Sequence, residues 1–133
     1  MQRDKDYERS RWMNCLLKAL PYQCWQNAKR ALAHLGADAR YVEGWIVRPD
    51  GLLVEHSWCE VGGKIIDPTL PDAELAYFTG LRFDAQQLAT LDRDPYTPLA
   101  RQLYGRGGCD NPEYREAFEA ARAFAGVNHA AFV

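Results

Sequence analysis

The chain lacks the usual signatures of a metal site, a disulfide scaffold or a membrane segment. It has three histidines and four cysteines in 133 residues, and no two cysteines have the C-x-x-C spacing of a zinc knuckle or redox motif. Four cysteines in a chain with enough apolar residue for a core (47% hydrophobic) do not read as a disulfide scaffold. There is no excess of positive charge: 16 Lys and Arg against 18 Asp and Glu give a net charge of −2. That excludes a module working mainly by phosphate neutralisation, so no nucleic-acid partner is expected. No stretch approaches the ~18 uncharged apolar residues of a membrane span. The charged start, Met1 to Asp6, leads into no apolar segment of the secretory type. The expected protein is cytoplasmic, and the length suits one domain over 1–133.

What is present divides into helical and strand patterns. Residues 1 to 20 read as a helix in which Trp12, Leu16, Leu17 and Leu20 form the apolar face, with Pro21 as a stop. A second helix is expected from about Cys24 to Leu35. Ala28, Ala31, Leu32 and Leu35 lie on its inner face, Lys29 and Arg30 on its outer face, and Gly36 is a cap. The period then changes to two. Tyr41 to Val47, Leu52 to Val61 and Lys64 to Asp67 read as three strands, joined by turns at Pro49-Asp50-Gly51 and Gly62-Gly63. They would form an antiparallel meander. In the second strand, alternation puts His56 and Trp58 on one side and Glu55, Ser57 and Cys59 on the other. Tyr77 to Phe83 is either a further strand or an ordered loop, and Asp84 can cap a short helix through about Leu91. Pro95 and Pro98 break the next stretch, and Gly105 to Gly108 reads as a flexible loop. Asn111-Pro112-Glu113 starts a last helix through about Ala125, with Tyr114, Phe118, Ala121 and Phe124 facing the core. The fold class is therefore α+β.

One cysteine stands apart by position. Cys24 begins a helix, where free N–H groups and the positive end of the dipole favour a thiolate, the attacking form of the residue. His56 lies in the second strand. Asp67 lies one hairpin later, beside positions 57 to 59, where its carboxylate can accept the imidazole Nδ1–H. Nucleophile, base and orienter then follow in order along the chain.

The run Tyr22-Gln23-Cys24-Trp25-Gln26-Asn27-Ala28, then Tyr41-Val42-Glu43-Gly44-Trp45, His56-Ser57-Trp58 and Ile66-Asp67-Pro68-Thr69, resembles the core of the transglutaminase-like superfamily. The resemblance covers about residues 22–69. It implies a papain-like core in which a helix bearing the cysteine packs on a small antiparallel sheet. It also implies Cys24 as nucleophile, His56 as base and Asp67 as orienter. The activity implied is amide or acyl chemistry through a thioester (proteolysis, deamidation or acyl transfer) on a peptide or protein, with neither a metal nor an organic cofactor. The Cys-x-x-Asn step at Cys24 and Asn27 also resembles arylamine N-acetyltransferases, which are much longer chains. The glycine or small residue that often precedes the family's cysteine is replaced here by Gln23. The backbone N–H of Cys24 is one expected oxyanion donor. Gln23 is the nearest candidate for the second, with Tyr22 next, and Trp25, Asn27 and Trp58 are candidate cleft residues. A catalytically silent peptide- or protein-binding module on the same fold is the alternative.

Other residues read as structural. Trp45 and Trp58 suit the core. Glu43 and Glu55 are expected to be solvated strand residues, and Cys59 to be packing. Cys15, Cys109, His34 and His129 belong to no pattern.

Overall fold

A computed structural model of the chain describes residues 4–105, 108 and 110–126. Cys109 and His129 lie outside the described residues, as does part of the Gly105 to Gly108 loop. The described elements are β1 (Asp4–Lys5), α1 (Tyr7–Leu17), α2 (Cys24–Leu32), β2 (Arg40–Val47), β3 (Leu53–Val61), β4 (Lys64–Ile66), β5 (Ala76–Phe83), α3 (Ala85–Leu91), α4 (Leu99–Tyr104) and α5 (Pro112–Ala125). The architecture is α+β, with a mixed five-stranded sheet ordered β1-β4-β3-β2-β5.

The turn residues set the sheet. Gly62 and Gly63 both have positive φ, at 57° and 79°, and close the tight hairpin between β3 and β4. Gly51, at φ 86°, donates its N–H to the Arg48 carbonyl and turns β2 into β3. All pairs are antiparallel except β1 with β4, which aligns Asp4 with Lys64 and Lys5 with Ile65. β5 returns along the far side of β2, so Tyr77 to Phe83 is a strand, added at the β2 edge and not in sequence after β4. The residues between β4 and β5 therefore connect strands that do not neighbour one another in the sheet.

Alternation gives the sheet two apolar faces. Tyr41, Trp45, Val47, Leu53 and Cys59 join the larger core with Ala28, Ala31 and Leu32 of α2, and Tyr114, Ala117 and Ala121 of α5. Val42, Ile46, Trp58, Ile65 and Tyr77 form a smaller core, with Leu75 packed against it. Burial of side chains this large contributes about 1.5–3 kcal/mol each and dominates the fold's stability.

Several expectations are corrected. The first segment contains a strand, β1, and its helix is rotated from the expected face: Leu17 is buried as expected, but Ser10 and Met13 are buried with it, whereas Trp12, Leu16 and Leu20 are exposed. The α2 helix ends at Leu32, three residues early. Lys29 is buried rather than outward-facing, because its ammonium donates to Asp92 and to the carbonyls of Asp94, Pro95 and Thr97. A further helix, α4, follows Pro98 where the prolines read only as breaks. Phe124 is exposed, though its ring meets Phe78 at 5.5 Å.

Glu43 is fully buried rather than solvated. It accepts the Tyr41 hydroxyl and the N–H groups of Leu99 and Ala100 at 2.6 and 2.7 Å, capping the start of α4. Burial raises its pKa against those donors. Glu55 is half-buried and accepts the Tyr114 hydroxyl.

Candidate active site

Cys24 is the first residue of α2 and is 7% exposed. The Gln23 side chain makes no capping bond, so it does not close the helix start; Gln23 is exposed. The first N–H groups of any α-helix have no acceptor within the helix, which makes this terminus a place for negative charge. Ala28, one turn on, accepts the buried Cys59 thiol at 3.2 Å, which fixes α2 against β3. Cys59 is a packing residue, and burial pushes its pKa far up.

His56 and Asp67 form a buried pair at 2.8 Å. The local reason is the length of β4. Its last pair with β3 is Ile66 with Cys59, so the chain leaves the sheet at Asp67 and the edge of β3 beyond is unpaired by β4. The carboxylate then turns towards the imidazole. It meets Nε2, not the Nδ1 expected from the sequence, and leaves Nδ1 as the nitrogen available to Cys24. Burial pulls the His56 pKa down, but the charge and hydrogen bond of Asp67 outweigh it. Hydrogen bonding and charge at the Cys24 sulfur add to the same side, and the result is a pKa of about 10. Burial works against the Asp67 charge too, yet His56, the Leu70 N–H and Lys5 hold its pKa below the usual range. Both shifts favour the imidazolium–carboxylate form of the pair.

Around Asp67 the structure assembles residues that the sequence did not flag. Tyr77 of β5 donates its hydroxyl to the same Oδ2 at 2.8 Å. The backbone N–H groups of Thr69 and Leu70 donate to Oδ1. Ser10 of α1 accepts the Asp67 N–H, and Asn14, four residues on, donates to the Pro68 carbonyl at 2.7 Å. Lys5 holds the following loop by donating to the carbonyls of Leu70 and Ala73. The available signal was Ser10 and Asn14 at i, i+4, a polar pair on one helix face.

The remaining candidates divide. Asn27 is fully buried and positions the backbone: its amide hydrogens go to the Leu20 carbonyl and Thr69 Oγ1, and its oxygen accepts the Leu20 N–H. It has no N–H left for an oxyanion. Trp58 is not a cleft wall; it is wholly buried, with its ring 6.1 Å from His56 and stacked at 28°. Trp25 is half-buried. The indole N–H groups of both Trp25 and Trp58 are buried without an acceptor. Tyr22 is 94% exposed. Of the cysteines and histidines without a pattern, Cys15 and His34 are exposed on the surface.

The site therefore joins a thiol at a helix start with a carboxylate-bound imidazole and a fully bonded carboxylate. No helix among the described residues is long and apolar enough to cross a membrane. Comparison with family models, curated proteins and solved structures finds no match for the chain.

Proposed function

We propose that the protein is a thiol-dependent hydrolase or acyltransferase acting on an amide of a peptide or protein, with a papain-like, transglutaminase-like core. The observation that carries this reading is the buried His56–Asp67 pair with Cys24 acting on the same imidazole. A structural histidine needs only a hydrogen-bond partner. This one is held charged by a carboxylate on one nitrogen and has the Cys24 thiol acting on the same ring.

The sulfur of Cys24 attacks the amide carbonyl carbon, and the carbonyl π electrons move to oxygen. The oxyanion forms next to the helix start, where the Cys24 N–H is a donor. As the tetrahedral intermediate collapses, the C–N bond breaks and His56 gives its proton to the departing amine. A thioester remains. Water, or an amine in the transfer reaction, then attacks the thioester carbon while His56 takes its proton. The C–S bond breaks and the thiolate returns. Asp67 holds the ring and balances its charge without taking the proton.

The test is alkylation with iodoacetamide at neutral pH, read residue by residue. Cys24 should react at least about tenfold faster than the exposed Cys15, and His56→Ala should abolish the difference. Equal rates at Cys24 and Cys15 would sink the reading and leave a silent binding module.

A further inference from the structure

The chain reaches Cys24 through a turn of unusual chemistry. Leu20, Pro21, Tyr22 and Gln23 form a β-turn closed by the Gln23 N–H on the Leu20 carbonyl at 3.3 Å. Proline at the second position fixes a negative φ, and Tyr22 at the third has φ +64°, which is the type II pattern. That third position favours glycine or asparagine, because a Cβ in this region crowds the backbone. For a bulky residue such a φ is an outlier.

Lys18 is the other described non-glycine residue with positive φ, and the contrast is informative. Lys18 ends α1, and its N–H satisfies the carbonyls of Asn14 and Cys15. Its conformation is part of a helix cap. Tyr22 caps nothing. Its side chain is 94% exposed, so no packing within the protein offsets the backbone cost. Leu20 is also exposed, at 51%. The turn is nevertheless held firmly from beneath, because Asn27 binds both the N–H and the carbonyl of Leu20 and ties them to Thr69. An anchored turn thus presents a strained, unpacked aromatic residue two positions before the thiol.

We propose that Tyr22, with Leu20 in the same turn, binds an apolar side chain of the substrate next to the amide that Cys24 attacks. This rests on the thiol chemistry proposed above. The ring offers a large apolar face at low entropic cost, and the rigid turn holds it ready before substrate arrives. The preferred substrate is a chain with a bulky apolar residue beside the reacting carbonyl.

The experiment compares labelling of Cys24 by acetyl-Gly-Phe chloromethyl ketone and acetyl-Gly-Gly chloromethyl ketone, with iodoacetamide alongside. The wild-type protein should react about tenfold faster with the phenylalanine compound. Tyr22→Gly should reduce that preference to about twofold or less, Tyr22→Phe should keep it, and iodoacetamide should label all three at the same rate. Tyr22→Gly should melt no lower than wild type, since it relieves the backbone. Tyr22→Asn, which tolerates the same φ, replaces it should the glycine variant fail to fold. An unchanged preference in a folded glycine or asparagine variant, or none in the wild type, overturns the assignment while fast iodoacetamide labelling leaves the thiol chemistry standing. If iodoacetamide shows no advantage of Cys24 over Cys15 in the wild type, the thiol reading falls and the Tyr22 assignment falls with it.

Discussion

At the scale of residues, Asp67 is the most completely bonded group of the candidate site. One oxygen serves His56 and Tyr77, and the other serves two backbone N–H groups. A carboxylate with four donors is fixed in orientation, and so is the ring it holds. Tyr77→Phe removes one donor while keeping the ring that packs edge-on against Trp58. The variant should lose about 1.5–3 kcal/mol of stability, measured by urea unfolding, because a hydrogen bond to a charged group in a buried place is lost. A loss below about 0.5 kcal/mol would show that the hydroxyl does little for the carboxylate. The order Cys24, His56, Asp67 was legible in the sequence because each stands at a recognisable place: a helix start, a strand, the end of a hairpin. Tyr77 and the choice of Nε2 over Nδ1 were not legible. Both depend on where β4 stops and how β5 returns, and no local pattern encodes either.

At the scale of elements, β2 is the member most restricted by its neighbours. Gly44 lies directly opposite His56, at the point where the pairing of β2 with β5 shifts register. A Cβ there would stand 2.2 Å from the Phe78 carbonyl oxygen, 2.9 Å from the Gly80 nitrogen and 3.1 Å from the Trp58 ring. Two of these are backbone atoms that cannot swing aside. Gly44→Ala should therefore cost at least about 1–3 kcal/mol by thermal or urea unfolding, against near neutrality for an unstrained strand glycine. Elements announced by capping chemistry were readable: Asp84 opens α3 with a capping box, and Asn111 with Pro112 opens α5, which ends at Gly126. The inward face of α1 was not. Hydrophobic periodicity favoured Trp12 and Leu16, but the helix turns Ser10 and Asn14 inward to satisfy the backbone around Asp67. Satisfying buried polar groups outweighed burying two apolar side chains. The two-residue β1 and the six-residue α4 were too short to carry a period at all.

At the scale of the whole molecule, the His56–Asp67 pair links stability to pH. The folded pKa of His56 lies at about 10, above the ~6.5 of an unfolded chain, so its contribution is complete below ~6.5 and is lost as pH rises through 10. Asp67 is shifted down, so its contribution is present above ~3.9 and disappears as pH falls through its lowered folded value. The melting temperature should therefore be highest between about pH 4 and 6.5 and fall steadily toward pH 10, with the alkaline slope reduced in His56→Gln. A flat profile from pH 6 to 10 in the wild type would contradict the charged pair. The overall α+β class was legible because the change from helical to alternating period is sharp at Tyr41. The sheet order was not, since it rests on long-range returns of β1 and β5. Those returns also set a schedule. Lys5 joins partners 65 and 68 residues away, and Asp67 waits for Tyr77. A growing chain on the ribosome therefore exposes Cys24 well before residue 77 has been made, and contacts of such high sequence separation form late. The thiol is synthesised before His56 and Asp67, which follow it in the chain, a built-in delay between making the nucleophile and arming it.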